Sequence, residues 1–280
     1  MSLLAYIFTW LNVPLNAAFG FLLWPVIVLP GWLSNTIIAA ITAVILLTIF
    51  KYTSNQQAIG RIRDDIKANT LALKLFKDSL SVTLLSQARL FKGAFKLLLY
   101  AIVPLLVMVL PVSLLLGQLG LWYQTRPLLP GEEAVVTMKL NGNIGSPLPP
   151  TSIISIPGAQ VVSGPVRVFS KREIFWKIKA NEAGQHRIVF QVNGRQIEKE
   201  FAVGNGFMRV SEKRPGWNWI EILRHPLEKP FAADSTVQSI NIDYPQRRSW
   251  SSGTNSWLVY FFIASLVFSL IFKPFLKVRI

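Results

Sequence analysis

The chain has 280 residues, 51% of them hydrophobic, a mean hydropathy of +0.41 and no cysteine. Disulfides, thiolate catalysis and Cys-based zinc sites are therefore excluded, and two histidines, His186 and His225, are too few for a histidine-rich metal centre. The net charge of +15 comes with no RNA- or DNA-binding motif, so it reads as topology signals and lipid contacts rather than as a specific nucleic-acid surface.

Residues 1–31 are apolar and aromatic, interrupted by Asn12, Pro14, Asn16, Pro25 and Pro30. They carry no Lys or Arg, unlike the n-region of a cleaved signal peptide. Pro14 and the two asparagines predict a broken backbone ladder and polar groups at depth. The reading is an interfacial or re-entrant helix with Trp10, Trp24 and Trp32 at headgroup level, and a true span is the alternative. Residues 32–50 then predict a first span, with Ser34, Asn35 and Thr36 as N-cap candidates and Lys51 and Tyr52 as interfacial anchors.

Residues 51–96 form a basic arm of nine basic against three acidic residues, a net +6, which the positive-inside rule places in the cytoplasm. Ile59, Ile62, Ile66, Asn69, Leu73, Phe76 and Leu80 alternate at spacings of three and four, a heptad seam with one polar interruption. Lys77-Asp78-Ser79 is the best turn, so the arm predicts a coiled-coil hairpin whose second helix, Leu80–Leu97, returns to the membrane. Residues 97–122 predict an outward span kinked at Pro104 and Pro111.

Residues 123–255 change character. Six strands are predicted: Glu133–Leu140, Ser152–Ile156, Val161–Phe169, Ile174–Ile178, His186–Val192 and Gln196–Val203, with Asn193-Gly194 as a hairpin turn. They suggest an extracytoplasmic antiparallel sandwich. The run Asn181–His186 resembles the E–F corner of immunoglobulin-like domains, with His186 where tyrosine usually stands, which implies a structural role for it. Pro215–Phe231 predicts an amphipathic helix at the membrane surface, and His225 within it has no ligand partner at useful spacing. Residues 256–273 predict the last, inward span. Residues 274–280 are a cytoplasmic tail, and Lys273, Lys277 and Arg279 add +3 on that side.

The span–basic hairpin–span pattern resembles the YidC/Oxa/Alb superfamily of membrane-protein insertases. It is closer to the three-span branch that includes the third subunit of the ER membrane protein complex and its archaeal relatives. The residues that carry the resemblance are Lys51–Gln57, Leu73-Lys74-Leu75-Phe76-Lys77-Asp78, and Tyr100–Leu106 with Pro111. It covers residues 32–122 and, by position, the last span. It implies a groove between the spans that eases short polar segments across the bilayer, and a hairpin that captures the incoming chain or docks the ribosome. The expected partners are membrane lipid, nascent or client membrane proteins, the ribosome and an extracytoplasmic protein. The expected location is the bacterial inner membrane. Groove candidates are Thr42, Thr48, Ser113, Gln118, Ser265 and Ser269, and contact candidates on the arm are Lys51, Arg61, Arg63, Lys67, Arg89, Lys92 and Lys96. One departure is plain: the spans carry no charge inside their cores, whereas YidC-type grooves often hold an arginine. No nucleophile elbow, paired catalytic carboxylates, phosphate loop or metal-ligand spacing is present, so neither enzyme activity nor a cofactor is expected. The competing reading is a non-catalytic assembly or scaffold subunit whose outer β domain binds a partner.

Overall fold

The computed structural model describes residues 2–24, 28–76, 79–143, 145–253 and 256–278. They divide into two compact units, Met1–Asn35 with Leu114–Tyr260, and Thr36–Ser113 with Phe261–Ile280. Among the described residues, three helices are long and apolar enough to cross a membrane: α1 (Ser2–Leu22), α2 (Gly31–Thr53) and α4 (Leu80–Tyr123). The last apolar helix, α6 (Ser256–Phe272), has 17 residues and spans about 26 Å, short of the roughly 30 Å hydrocarbon thickness.

The N-terminal helix corrects one expectation. α1 runs unbroken through Pro14. Proline removes one ladder bond, but its asparagine neighbours are tied down elsewhere in the first unit. Asn12 Nδ2 donates to the Ile222 carbonyl at 3.2 Å. Asn16 Nδ2 donates to the carbonyls of Pro226 at 2.8 Å and Leu227 at 3.2 Å, while its Oδ1 accepts from Gln118 Nε2 at 2.7 Å. The polar side chains that looked like a liability are the ones that fasten the helix.

The predicted N-cap of α2 is also corrected. The helix starts at Gly31, immediately after Pro30, so Ser34 and Asn35 lie inside it and bond across the fold instead. Ser34 Oγ accepts from Tyr123 at 2.7 Å, and Asn35 Nδ2 donates to the Ser251 carbonyl at 3.0 Å.

In the same unit, eight strands form two antiparallel sheets. One has the order β3-β4-β1-β8-β7 and the other β2-β5-β6. The strands are β1 (Glu133–Leu140), β2 (Thr151–Ser155), β3 (Ala159–Val168), β4 (Glu173–Ala180), β5 (Gly184–Val192), β6 (Arg195–Val203), β7 (Lys213–Arg214) and β8 (Val237–Ile242). All six predicted strands are present. Alternation sends Val136 and Met138 of β1, Ile174, Trp176 and Ile178 of β4, and Ile188 and Phe190 of β5 into one core shared by both sheets. Asn193 and Gly194 both take positive φ, as a two-residue hairpin turn requires. His186 bonds the Glu182 carbonyl at 2.8 Å and lies 5.2 Å from the Phe201 ring, a structural contact.

The expected amphipathic helix shrinks to α5 (Trp219–Arg224), six residues capped by Asn218. Most of the apolar side chains in and just before it meet protein, while Ile220 is exposed. Ile222, Trp217, Trp219 and Leu223 pack with Ala5 and Phe8 of α1 and with Leu114. Gly117 of α4 faces the Leu223 carbonyl so closely that a Cβ would collide with it.

The second unit holds the hairpin. α3 (Gln56–Leu75) is capped by Asn55, whose Oδ1 accepts from the Ala58 amide at 3.0 Å. α4 is a single helix of 44 residues, about 66 Å long, so no break separates the arm's return helix from the second predicted span. Pro104 and Pro111 both lie inside it. The turn residues Lys77 and Asp78 lie outside the described residues, as does Arg279 of the tail. The seam on α3 is covered only near its base. Ile59 and Ile62 are buried, Ile66, Asn69 and Leu73 are half-buried, and Phe76 and Leu80 are 55% and 79% exposed. At Gly93 α4 comes close to α3, since a Cβ there would meet Ile66 at 2.8 Å.

Candidate functional site

At the foot of the hairpin, the end of α2, the start of α3 and the middle of α4 enclose an open recess of about 710 Å³. Helix phase explains which side chains reach it. Asn55, Ala58, Arg61, Ile62 and Asp65 repeat at three and four along one flank of α3, and Lys96, Leu99, Tyr100 and Val103 do the same on α4. Thr53 closes the α2 side, its hydroxyl donating to the Ile49 carbonyl at 2.7 Å. Arg61, Asp65 and Lys96 are joined in no ion pair among the described residues. The recess thus combines two cations and one carboxylate with phenol, amide and hydroxyl groups, above an apolar wall of Leu99 and Val103.

Of the arm residues singled out from sequence, the structure brings Arg61 and Lys96 together here. Lys51 is elsewhere, donating to the Leu276 carbonyl at 3.0 Å and so tying the C-terminal segment to the end of α2. Lys67 lies 3.9 Å from Asp64 in an exposed pair, and Arg63 is half-buried. Arg89 and Lys92 are exposed on α4. Leu84, Phe91 and Phe95, a helical stripe on the same helix, are also exposed, Phe91 by 71%.

Two of the groove candidates bond to carbonyls one turn back. Thr48 Oγ1 donates to the Val44 carbonyl at 2.8 Å, and Ser265 Oγ donates to that of Phe262 at 3.1 Å. These are bonds within their own helices. Thr42 is buried on α2, and Ser113 and Ser269 are half-buried. Gln118 belongs to the first unit and is bonded to Asn16.

The first unit holds a second concentration of polar chemistry, and it is sealed. Lys199 is 0% exposed. Its Nζ donates to the Glu200 carbonyl at 2.8 Å, the Ser211 carbonyl at 2.6 Å and Glu228 Oε1 at 2.6 Å, with Ser211 Oγ at 3.2 Å. Ser211 Oγ also bonds Glu228 Oε1, and Glu228 Oε2 accepts from the Glu200 amide at 3.0 Å. Burial holds the Lys199 pKa below the usual lysine range, with the Glu228 charge acting in the opposite direction.

The cluster makes structural sense at the outer edge of β6. That edge would otherwise expose its backbone groups. Arg214 instead donates to the Glu198 carbonyl at 2.5 Å, Glu228 takes the Glu200 amide, and Tyr244 Oη accepts from the Ala202 amide at 2.9 Å. Leu128 N donates to the Ala202 carbonyl at 3.1 Å. Arg247 has a comparable task at the end of α4. It donates to the Trp122 carbonyl at 3.1 Å and stacks on Phe207 at 4.1 Å, and burial, reinforced by the charge of Arg126, lowers its pKa to about 10.

Sequence reasoning missed Asn55, Asp65 and Tyr100 in the recess. The phase that places Asp65 beside Arg61 on α3 was legible, but the pairing of that flank with Lys96 and Tyr100 was not. It also missed the Lys199–Glu228 pair, whose partners are separated by 29 residues. No group of three or more His, Asp or Glu residues is placed to hold a metal ion among the described residues. Comparison with protein-family models, with curated proteins and with solved structures finds no match to this chain.

Proposed function

We propose that this chain is an integral membrane protein of the insertase-like type, a biogenesis factor that helps short-tailed membrane segments enter the bilayer. The observation that carries the reading is the continuous unit α2–α3–α4. An apolar helix long enough to cross a membrane leads into a basic helical hairpin and returns as an apolar helix of 44 residues, with a polar recess at the hairpin's foot. In this reading α2 and α4 cross the bacterial inner membrane and the hairpin stands in the cytoplasm, as its net +6 dictates. The resemblance to the YidC/Oxa/Alb insertases rests on the same unit. The hairpin meets the client chain through Arg89, Lys92 and the exposed Phe91 and Phe95 beside them, while the ribosome is a further candidate partner. The β region lies on the outer side as an immunoglobulin-like sandwich. The physical benefit is a lower barrier, since each unsatisfied polar group in hydrocarbon costs several kcal/mol.

Depletion of the protein, followed by measurement of insertion of short-tailed client proteins, tests the reading. Reduced insertion together with crosslinks from hairpin positions to nascent chains is expected. Unchanged insertion without such crosslinks refutes it.

A scaffold reading is favoured by a different observation. β3 is an edge strand exposed on both faces, with Val161, Val162 and Val166 open beside Phe169. Deleting residues 131–249 separates the two readings, because a scaffold loses its function and an insertase core keeps it.

A further inference from the structure

We infer that the recess at the foot of the hairpin is a binding site for an anionic phospholipid, with Arg61 and Lys96 holding the headgroup phosphate. The two cations come from different helices and enter one recess with Tyr100, Asn55 and Thr53. No carboxylate pairs with either cation among the described residues, so both charges are available to an incoming anion. Asp65 also lines the recess and opposes binding, leaving the three charged side chains at a net +1.

The apolar half of the site selects a lipid over a free anion. Leu99 and Val103 continue from Lys96 along the same flank of α4 into its charge-free stretch, and both are exposed. A phosphate held at Arg61 and Lys96 would therefore have its acyl chains laid along that wall. Basic pockets at the cytoplasmic ends of membrane helices recognise anionic headgroups by this combination. The inference rests on the reading that α4 crosses a membrane with its Lys96 end in the cytoplasm.

The test uses the full-length chain in detergent and in nanodiscs. Binding of phosphatidylglycerol, of phosphatidylcholine with matched acyl chains, and of inorganic phosphate is measured by native mass spectrometry and by titration. The wild type should bind phosphatidylglycerol in preference to phosphatidylcholine. Each of Arg61→Gln and Lys96→Gln should weaken phosphatidylglycerol about fivefold, the change expected for one cation near a headgroup. Asp65→Asn should tighten it, a reversal of sign that a general loss of structure would not produce. Equal retention of the two lipids overturns the inference, as does unchanged binding by a folded Arg61→Gln/Lys96→Gln variant or weaker binding by Asp65→Asn. Inorganic phosphate binding as well as phosphatidylglycerol would make it a free-phosphate site and overturn the lipid assignment. Carbonate extraction of cell membranes separately reports whether the chain is membrane-integral, so failure of that reading is distinguishable from failure of the lipid site.

Discussion

Replacing Glu228 by Gln should destabilise the β region severely, because it strands a buried ammonium. Lys199 Nζ is completely covered and held by carbonyl and hydroxyl oxygens in addition to Glu228 Oε1 at 2.6 Å. Those oxygens solvate the charge, and Glu228 is its ion-pair partner among the described residues. Removing one partner of a buried pair typically costs about 3–5 kcal/mol. That is a large fraction of the roughly 5–15 kcal/mol that holds an ordinary domain folded. Lys199→Met should cost a similar amount, since it leaves the Glu228 carboxylate nearly buried without its ion-pair partner. The double variant Lys199→Met/Glu228→Leu should be less damaging than the sum of the singles by about 2 kcal/mol or more.

Chemical unfolding at pH 7, followed by circular dichroism, measures all three variants. The sign with pH is also determined. Burial already lowers the Lys199 pKa, and loss of Glu228 lowers it further. The folded state then releases a proton that the unfolded state retains, so the Glu228→Gln variant should recover stability as pH rises towards the ordinary lysine value of 10.5. A Glu228→Gln midpoint within about 1 kcal/mol of wild type, or additive single variants, would refute the account of this cluster as an ionic seal on β6.

His225 provides a pH test of its own. Burial lowers its pKa from 6.5 to about 4, so the folded imidazole stays neutral while the unfolded one charges. Stability should fall by about 3 kcal/mol as pH drops from above 6.5 to about 4, and His225→Leu should flatten that window in pH-dependent unfolding. Gly117→Ala places a methyl group against the Leu223 carbonyl and should cost about 1–3 kcal/mol, seen as faster proteolysis of the segment around α5. Asn16→Ala removes the partner of Gln118, Pro226 and Leu227 together and should cost about 2–4 kcal/mol by the same unfolding assay. Phe91→Ser with Phe95→Ser, by contrast, should leave the unfolding midpoint unchanged, since both rings are exposed, and a shift of more than about 0.5 kcal/mol would show that they are packed.

Local pattern sufficed for the elements whose cause is local. Of the six strands before residue 204, β1, β4 and β5 alternate strongly, and the Asn193-Gly194 hairpin needs only its own backbone preferences. The long apolar runs of α2 and α4 were equally plain from composition. The basic character of the arm, and with it Arg61 and Lys96, could be read directly.

Features with distant partners were not legible. Pro14 reads as a helix breaker on its own, and α1 persists because Asn12 and Asn16 find carbonyls more than 200 residues away. β8 was missed because its pairing with β1 joins ends of the β region that no local period connects. The amphipathic signal of Pro215–Phe231 was real, but what covered it was α1 rather than lipid, since a periodicity reports an apolar face without naming its neighbour. Sequence by itself determined the long apolar helices, six of the strands and the sign of the arm's charge, since these follow from local composition, short-range sterics and hydropathy. Tertiary structure alone decided that Lys199 is a buried seal, that Lys51 ties the tail, and that Arg61 and Lys96 share one recess, because each depends on chain segments that meet only after folding.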